Sequence, residues 1–172
     1  YSVRNTKFSF ERRQHDSGQK VIFGRRGQFD GDDFVRIILA RKQCATFIAY
    51  KLYKHFVNDL SNEPDKSTKL VIGRLGYQLY KKQYQLTPVL KMLLASEHFY
   101  DPANMGSMIK SSAQLVAGVV RVLQTPVRDA DILTDGLDIM GQRLFDPPSV
   151  AGWDGGRSWI NTSTLFARQN MA

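Results

Sequence analysis

Two groups of aspartates are the side chains best able to do chemistry in this sequence: Asp30, Asp32 and Asp33 in GQFDGDDF, and Asp146 and Asp154 in FDPPSVAGWDGGRSWIN, residues 145–161. Three carboxylates so close together could hold a hard cation such as calcium, whose ligands are oxygens. The EF-hand pattern fails, because the twelfth loop position counted from Asp30 is Arg41 rather than glutamate. The same three residues also read as a helix start. With Asp30 as N-cap, Asp33 falls at N3, Phe29 can staple against Phe34, and the acidic first turn complements the helix dipole. A carboxylate from each group could instead form the acid and base of a hydrolase, if the fold brings them to glycosidase separation.

Residues 145–161 also hold both tryptophans. Trp153, Trp159, Asp154, Arg157 and Asn161 are candidate binding residues, since an indole on a glycine-supported backbone suits a sugar or a protein partner. The same rings could serve only as a latch. Pro147 and Pro148 fix φ, while Gly152, Gly155 and Gly156 open conformations closed to other residues, so a rigid, irregular loop is expected. His15, His55 and His98 stand apart, and there is no G-x-S-x-G elbow, H-E-x-x-H helix or Walker loop. His15 with Asp16 could belong to a metal or acid/base site, or could stabilise a turn. No motif calls for a cofactor. The single cysteine, Cys44, excludes an internal disulfide framework and a multi-cysteine zinc site.

Lys and Arg number 24 against 16 Asp and Glu, a formal charge of +8. Such a balance favours acidic partners: nucleic acid, anionic glycans or an acidic envelope surface. The most basic part is the N-terminal arm, where Arg4, Lys7, Arg12, Arg13, Lys20, Arg25 and Arg26 alternate with aromatic residues. No nucleic-acid-binding signature accompanies them, so a solvated, folded arm is the simpler reading. No apolar run reaches the roughly 18 to 20 residues a membrane span needs.

The elements that must position these residues are mostly helical. FSF and KVIF around HDSGQ suggest a hairpin over residues 1–28. Apolar spacing predicts helices over about 32–42, 45–60, 67–82, 87–99, 107–124 and 129–144, with Thr87 as N-cap of the fourth and Pro88 opening it. The fifth, with Leu115, Val116, Val119, Val120 and Leu123, is the most apolar and is the expected centre of the bundle. A last helix from Arg157 or Ser158 would turn Trp159, Thr162, Leu165 and Phe166 to one face. The expectation is a mainly α single domain over 1–172, an irregular bundle of about seven helices with a short extended arm or hairpin. The start at Tyr1 suggests a piece of a longer protein.

HDSGQKVIFGRRGQFDGDD, KLYKHFV, LLASEHFYDP, IKSSAQLVAG and GQRLFDPPSVAGWDGGRSWINTSTLFAR together resemble the C-terminal portion of the bacterial family called domain of unknown function 1800. The last island is the most specific. One departure is Ser112, where the family commonly has proline. The resemblance implies an exported protein, periplasmic, on the cell surface or secreted. It also implies a protein partner, since members are often encoded beside a second exported family resembling alkaline phosphatases and sulfatases. It carries over no catalytic residues. Three functions follow as expectations: a non-catalytic interaction or scaffold module of the envelope, for which an acidic glycan is a possible partner; a hydrolase, glycan-directed or other; and nucleic-acid binding through the basic arm, which an exported location disfavours.

Overall fold

The computed structural model describes residues 2–4, 7–60, 63–124 and 126–171, and among these it is mainly helical. The N-terminal arm forms two antiparallel hairpins, β1 (Ser2–Arg4) with β2 (Lys7–Ser9) and β3 (Lys20–Ile22) with β4 (Arg25–Gly27). FSF and KVIF therefore do not pair with each other. Each closes on its nearest neighbour, which costs less loop entropy than spanning HDSGQ. Between them Arg12–Gln14 make a single 3-10 turn, and Asp16 accepts the Gly18 N–H at 2.7 Å. Phe23 and Gly24 turn the second hairpin with φ of 47° and 81°, the left-handed pair that a two-residue turn requires. The Arg41 guanidinium lies 4.4 Å from the Phe23 ring centroid and fastens this tip to the first helices. Of the basic arm, Arg12, Arg13, Arg25 and Arg26 are exposed, while the side chains of Arg4 and Lys7 lie outside the described residues.

Seven α-helices follow among the described residues: α1 (Gly31–Leu39), α2 (Lys42–Phe56), α3 (Lys66–Lys81), α4 (Leu86–Leu94), α5 (Ser112–Leu123), α6 (Ala130–Ile139) and α7 (Thr162–Met171). The larger core belongs to α2, α3 and α4. Ala45, Ala49 and Tyr53 of α2 pack with Ile72, Leu75 and Leu79 of α3 and with Val89 and Leu93 of α4. Small residues let α2 and α3 approach closely: a Cβ at Gly76 would lie 2.7 Å from Thr46 Cα. Tyr53 is fully buried, and its hydroxyl shares a hydrogen bond of 2.7 Å with His98 Nε2. Burial pushes the pKa of this phenol up, and the bond ties α2 to the turns after α4.

A second, smaller core joins Val116 of α5 to Leu137 of α6 and Met140 at its end, with Ala167 and Met171 of α7 against them. The expectation that α5 is the centre of the bundle is therefore corrected. Its apolar residues exceed its partners: Val122 is 81% exposed, and only Ser112 and Val116 are buried. Position in the bundle follows from what packs opposite, and α2 and α3, at 15 and 16 residues, are the long helices that face each other. Two boundaries also differ. Gln85 stands at the N-cap position of α4 without a side-chain cap bond, which places Thr87 and Pro88 inside the first turn, where a missing N–H costs no helical bond. Helix α7 starts at Thr162 and buries Thr164 and Arg168, leaving Leu165 and Phe166 exposed.

Tyr84 yields a pH test of the α1 to α3 packing. Its hydroxyl donates to Leu39 O at 2.6 Å, and burial, reinforced by the neighbouring Cys44, pushes the phenol from its ordinary 10.0 up to about 12. The folded protein then holds a proton that the unfolded chain releases. This contribution is complete below pH 10 and is lost as pH rises toward 12. Stability measured across that range falls for the native chain and falls less for Tyr84→Phe.

Candidate functional site

Of the aspartates predicted to do chemistry, Asp30 and Asp33 are engaged by nearby backbone, and Asp32, Asp146 and Asp154 are exposed. Asp30 accepts the Asp33 N–H at 2.9 Å, and Asp33 Oδ2 accepts the Asp30 N–H at 3.2 Å, a full capping box at the start of α1. The Asp33 N–H, the largest influence, lowers the Asp30 pKa. Asp33 also pairs with Arg36 at 3.1 Å, and Asp32 points to solvent. Asp65, Asp101 and Asp129 cap their own helices in the same way. Asp146 lies exposed, 3.8 Å from Arg143, and Asp154 is exposed on the loop. The His15 ring meets the edge of Phe10 at 5.3 Å between centroids. Among the described residues no group of three or more His, Cys, Asp or Glu is placed to hold a metal ion.

The loop leaving α6 is irregular. Gly141, Phe145, Gly152, Gly155 and Gly156 all have positive φ, and Phe145 is 99% exposed at the tip. Its end is well anchored. Gly156–Trp159 form a 3-10 turn in which Trp159 is 7% exposed, and Trp159 O accepts the Thr164 hydroxyl at 2.9 Å. Asn161 Oδ1 accepts the N–H groups of Ser163 and Thr164 at 3.1 and 2.9 Å, so this residue caps α7. Trp153 is half-buried, and Arg157 is exposed. The predicted binding group thus divides: Trp159 and Asn161 hold the chain end in place, while Asp154 and Arg157 face solvent.

Where this loop returns to the body it borders an open cavity of about 310 Å³. One wall is α2, which presents Lys51, Lys54 and His55; another is the start of α5, with Ser111 and Gln114; the third is Gly155, Gly156 and Trp159. Asp59, just beyond α2, holds the walls together. Its Oδ2 accepts the Ile109 N–H at 2.8 Å, and a Cβ at Gly156 would lie 3.3 Å from its Cγ. Glycine, here at φ 57°, suits both the left-handed backbone and this close approach. The α5 wall is fixed by a second capping box between Ser111 and Gln114. Ser112, standing where proline was expected, donates its buried hydroxyl to Met140 O at 3.1 Å. Arg168 of α7 donates to Lys110 O at 2.8 Å beside the same wall.

Among the described residues no carboxylate lies within ion-pair distance of Lys51, Lys54 or His55. The Lys51 ammonium lies 5.4 Å from the Phe47 ring centroid, and His55 meets Phe56 edge-on at 4.7 Å. Sequence reading singled out neither the lysines nor Asp59. The available signal was the i, i+3, i+4 spacing of Lys51, Lys54 and His55, which aligns three basic groups on one helical face. A larger groove, about 690 Å³, runs past Lys42, Phe47, Tyr50 and Ile72 between α2 and α3. Its one carboxylate, Glu63, is already paired with Lys69 at 2.6 Å. No helix among the described residues is long and apolar enough to cross a membrane.

No curated protein and no solved structure matches the chain. The family described as protein of unknown function DUF1800 matches residues 1–172. Together with the helical architecture and the Gly155 to Trp159 turn, that match over the whole length places the chain in the DUF1800 family.

Proposed function

We propose that the chain is a non-catalytic interaction module of an exported bacterial protein, working in the cell envelope or in an extracellular assembly. One observation carries this reading: Lys51 and Lys54, without a carboxylate partner among the described residues, line one depression with Trp159, while Asp30 and Asp33 of the candidate acidic groups are spent on a helix cap. A glycoside hydrolase of the usual kind needs two carboxylates free to face one bond. Asp30 and Asp33 are tied to each other's backbone, and Asp154 is exposed on the loop and does not line the cavity, whose one carboxylate is Asp59. The surplus of 24 basic over 16 acidic residues supports an acidic partner, and the exported location follows from the family resemblance. Fractionation of source cells carrying the tagged full-length protein is the test. The expected result is recovery from the envelope or the medium, with one reproducible protein partner after cross-linking in intact cells. A cytosolic monomer without a cross-linked partner would defeat the proposal.

A further inference from the structure

We infer that the cavity bounded by Lys51, Lys54, His55 and Trp159 is a subsite for an acidic sugar residue, a uronate unit of an envelope or extracellular polysaccharide. This rests on the interaction-module reading and names the ligand class for its one converging site. The cavity, about 310 Å³, lies at the small end of the roughly 300 to 1,000 Å³ typical of ligand pockets and suits a compact ring. Its chemistry is mixed in the way a uronate requires. Lys51 and Lys54 supply two ammonium groups for a carboxylate, with Lys54 half-buried and without a carboxylate partner among the described residues. An opposite charge there is attracted by both ammonium groups, and because the depression is open to solvent that attraction is strongest at low ionic strength.

The remaining polar groups suit hydroxyls. Ser111 Oγ accepts the Gln114 N–H at 3.2 Å, which leaves its own hydroxyl proton to donate. Gln114 Oε1 accepts the Ser111 N–H at 2.9 Å, which leaves its amide N–H groups to donate. Asp59 uses one oxygen on Ile109, and its second carboxylate oxygen can accept from a sugar hydroxyl. Trp159, 7% exposed, shapes the wall between the lysines and the Gly155–Gly156 backbone and offers a ligand little more than the edge of its ring. Asp59 also argues against a phosphate polymer, whose closely spaced charges would meet a carboxylate in the cavity, and one indole makes no series of stacking platforms for bases.

The test is calorimetric titration of the full-length protein with trigalacturonate, with neutral galactotriose, and with hexaglutamate and inorganic polyphosphate as other anions. Trigalacturonate is expected to bind about tenfold or more tighter than each of the other three. Lys51→Glu with Lys54→Glu should lower that affinity at least about tenfold, and Lys51→Gln with Lys54→Gln is a milder pair should charge reversal impair folding. Arg25→Glu with Arg26→Glu on the distant hairpin changes net charge equally and should leave affinity nearly intact. Equal binding of galactotriose, hexaglutamate or polyphosphate overturns the inference. So does absence of trigalacturonate binding, or affinity that survives both lysine pairs. Those failures leave the envelope partner reading standing, because it is judged separately by fractionation and cross-linking.

Discussion

Trp159→Ala lowers stability by about 3 to 5 kcal/mol, the usual cost of truncating a buried indole. The ring is 7% exposed and sits in the 3-10 turn whose last carbonyl takes the Thr164 hydroxyl. Removing it opens a void under α7 and loosens the turn that sets Gly156 against Asp59. Because α7 supplies Ala167 and Met171 to the smaller core, the loss spreads beyond one side chain. Denaturant titration followed by circular dichroism measures it as a shift of midpoint at constant slope. Trp153→Ala is the companion. Its ring is half-buried, and about 1 to 2 kcal/mol is expected from area alone. If Trp159→Ala costs less than about 1 kcal/mol, the indole is solvent-facing and the latch is misassigned.

Gly76→Ala destabilises the protein by about 1 to 3 kcal/mol although it improves helix propensity. The added methyl would meet Thr46 Cα at 2.7 Å, and backbone on a packed helix cannot swing aside as a side-chain end can. The contrast lies one turn away on the same helix. Gly73 has nothing within 4 Å of an added Cβ, so Gly73→Ala should stabilise by up to about 1 kcal/mol through propensity alone. Thermal melts of the two variants beside the native chain decide the matter. Shifts of the same sign would mean that α2 and α3 are not in close backbone contact at Gly76.

What could be read from the sequence was whatever depends on neighbours along the chain. The Asp30 to Asp33 capping box is built from residues three apart, and it is present as expected. Helix count and type followed from apolar spacing, because a buried stripe must repeat with the helical turn. Thr87 misled because a Thr-Pro pair marks a helix start without fixing its position within the first turn. For α5, apolar content states that burial is possible and says nothing about which helix is opposite. The cavity was hidden for the same reason. Its walls come from α2, the start of α5 and the Gly155 to Trp159 turn, which long-range contacts such as Asp59 with Ile109 and Gly156 bring together.

Among the described residues the end of α2 is tied to the segment leading into α5 by Ile109 N–H to Asp59, the Ser107 hydroxyl to Val57 O, and Asn58 to Asn104. Such a joint is polar and short, so the halves can open at different free energies, as separate cooperative units do. A ligand seated among Lys54, Gln114 and Trp159 touches both halves at once. By mass action it favours only the state in which they are docked, so its binding energy becomes coupling between them. Occupancy of the cavity would then be felt as the change from two loosely joined bodies to one.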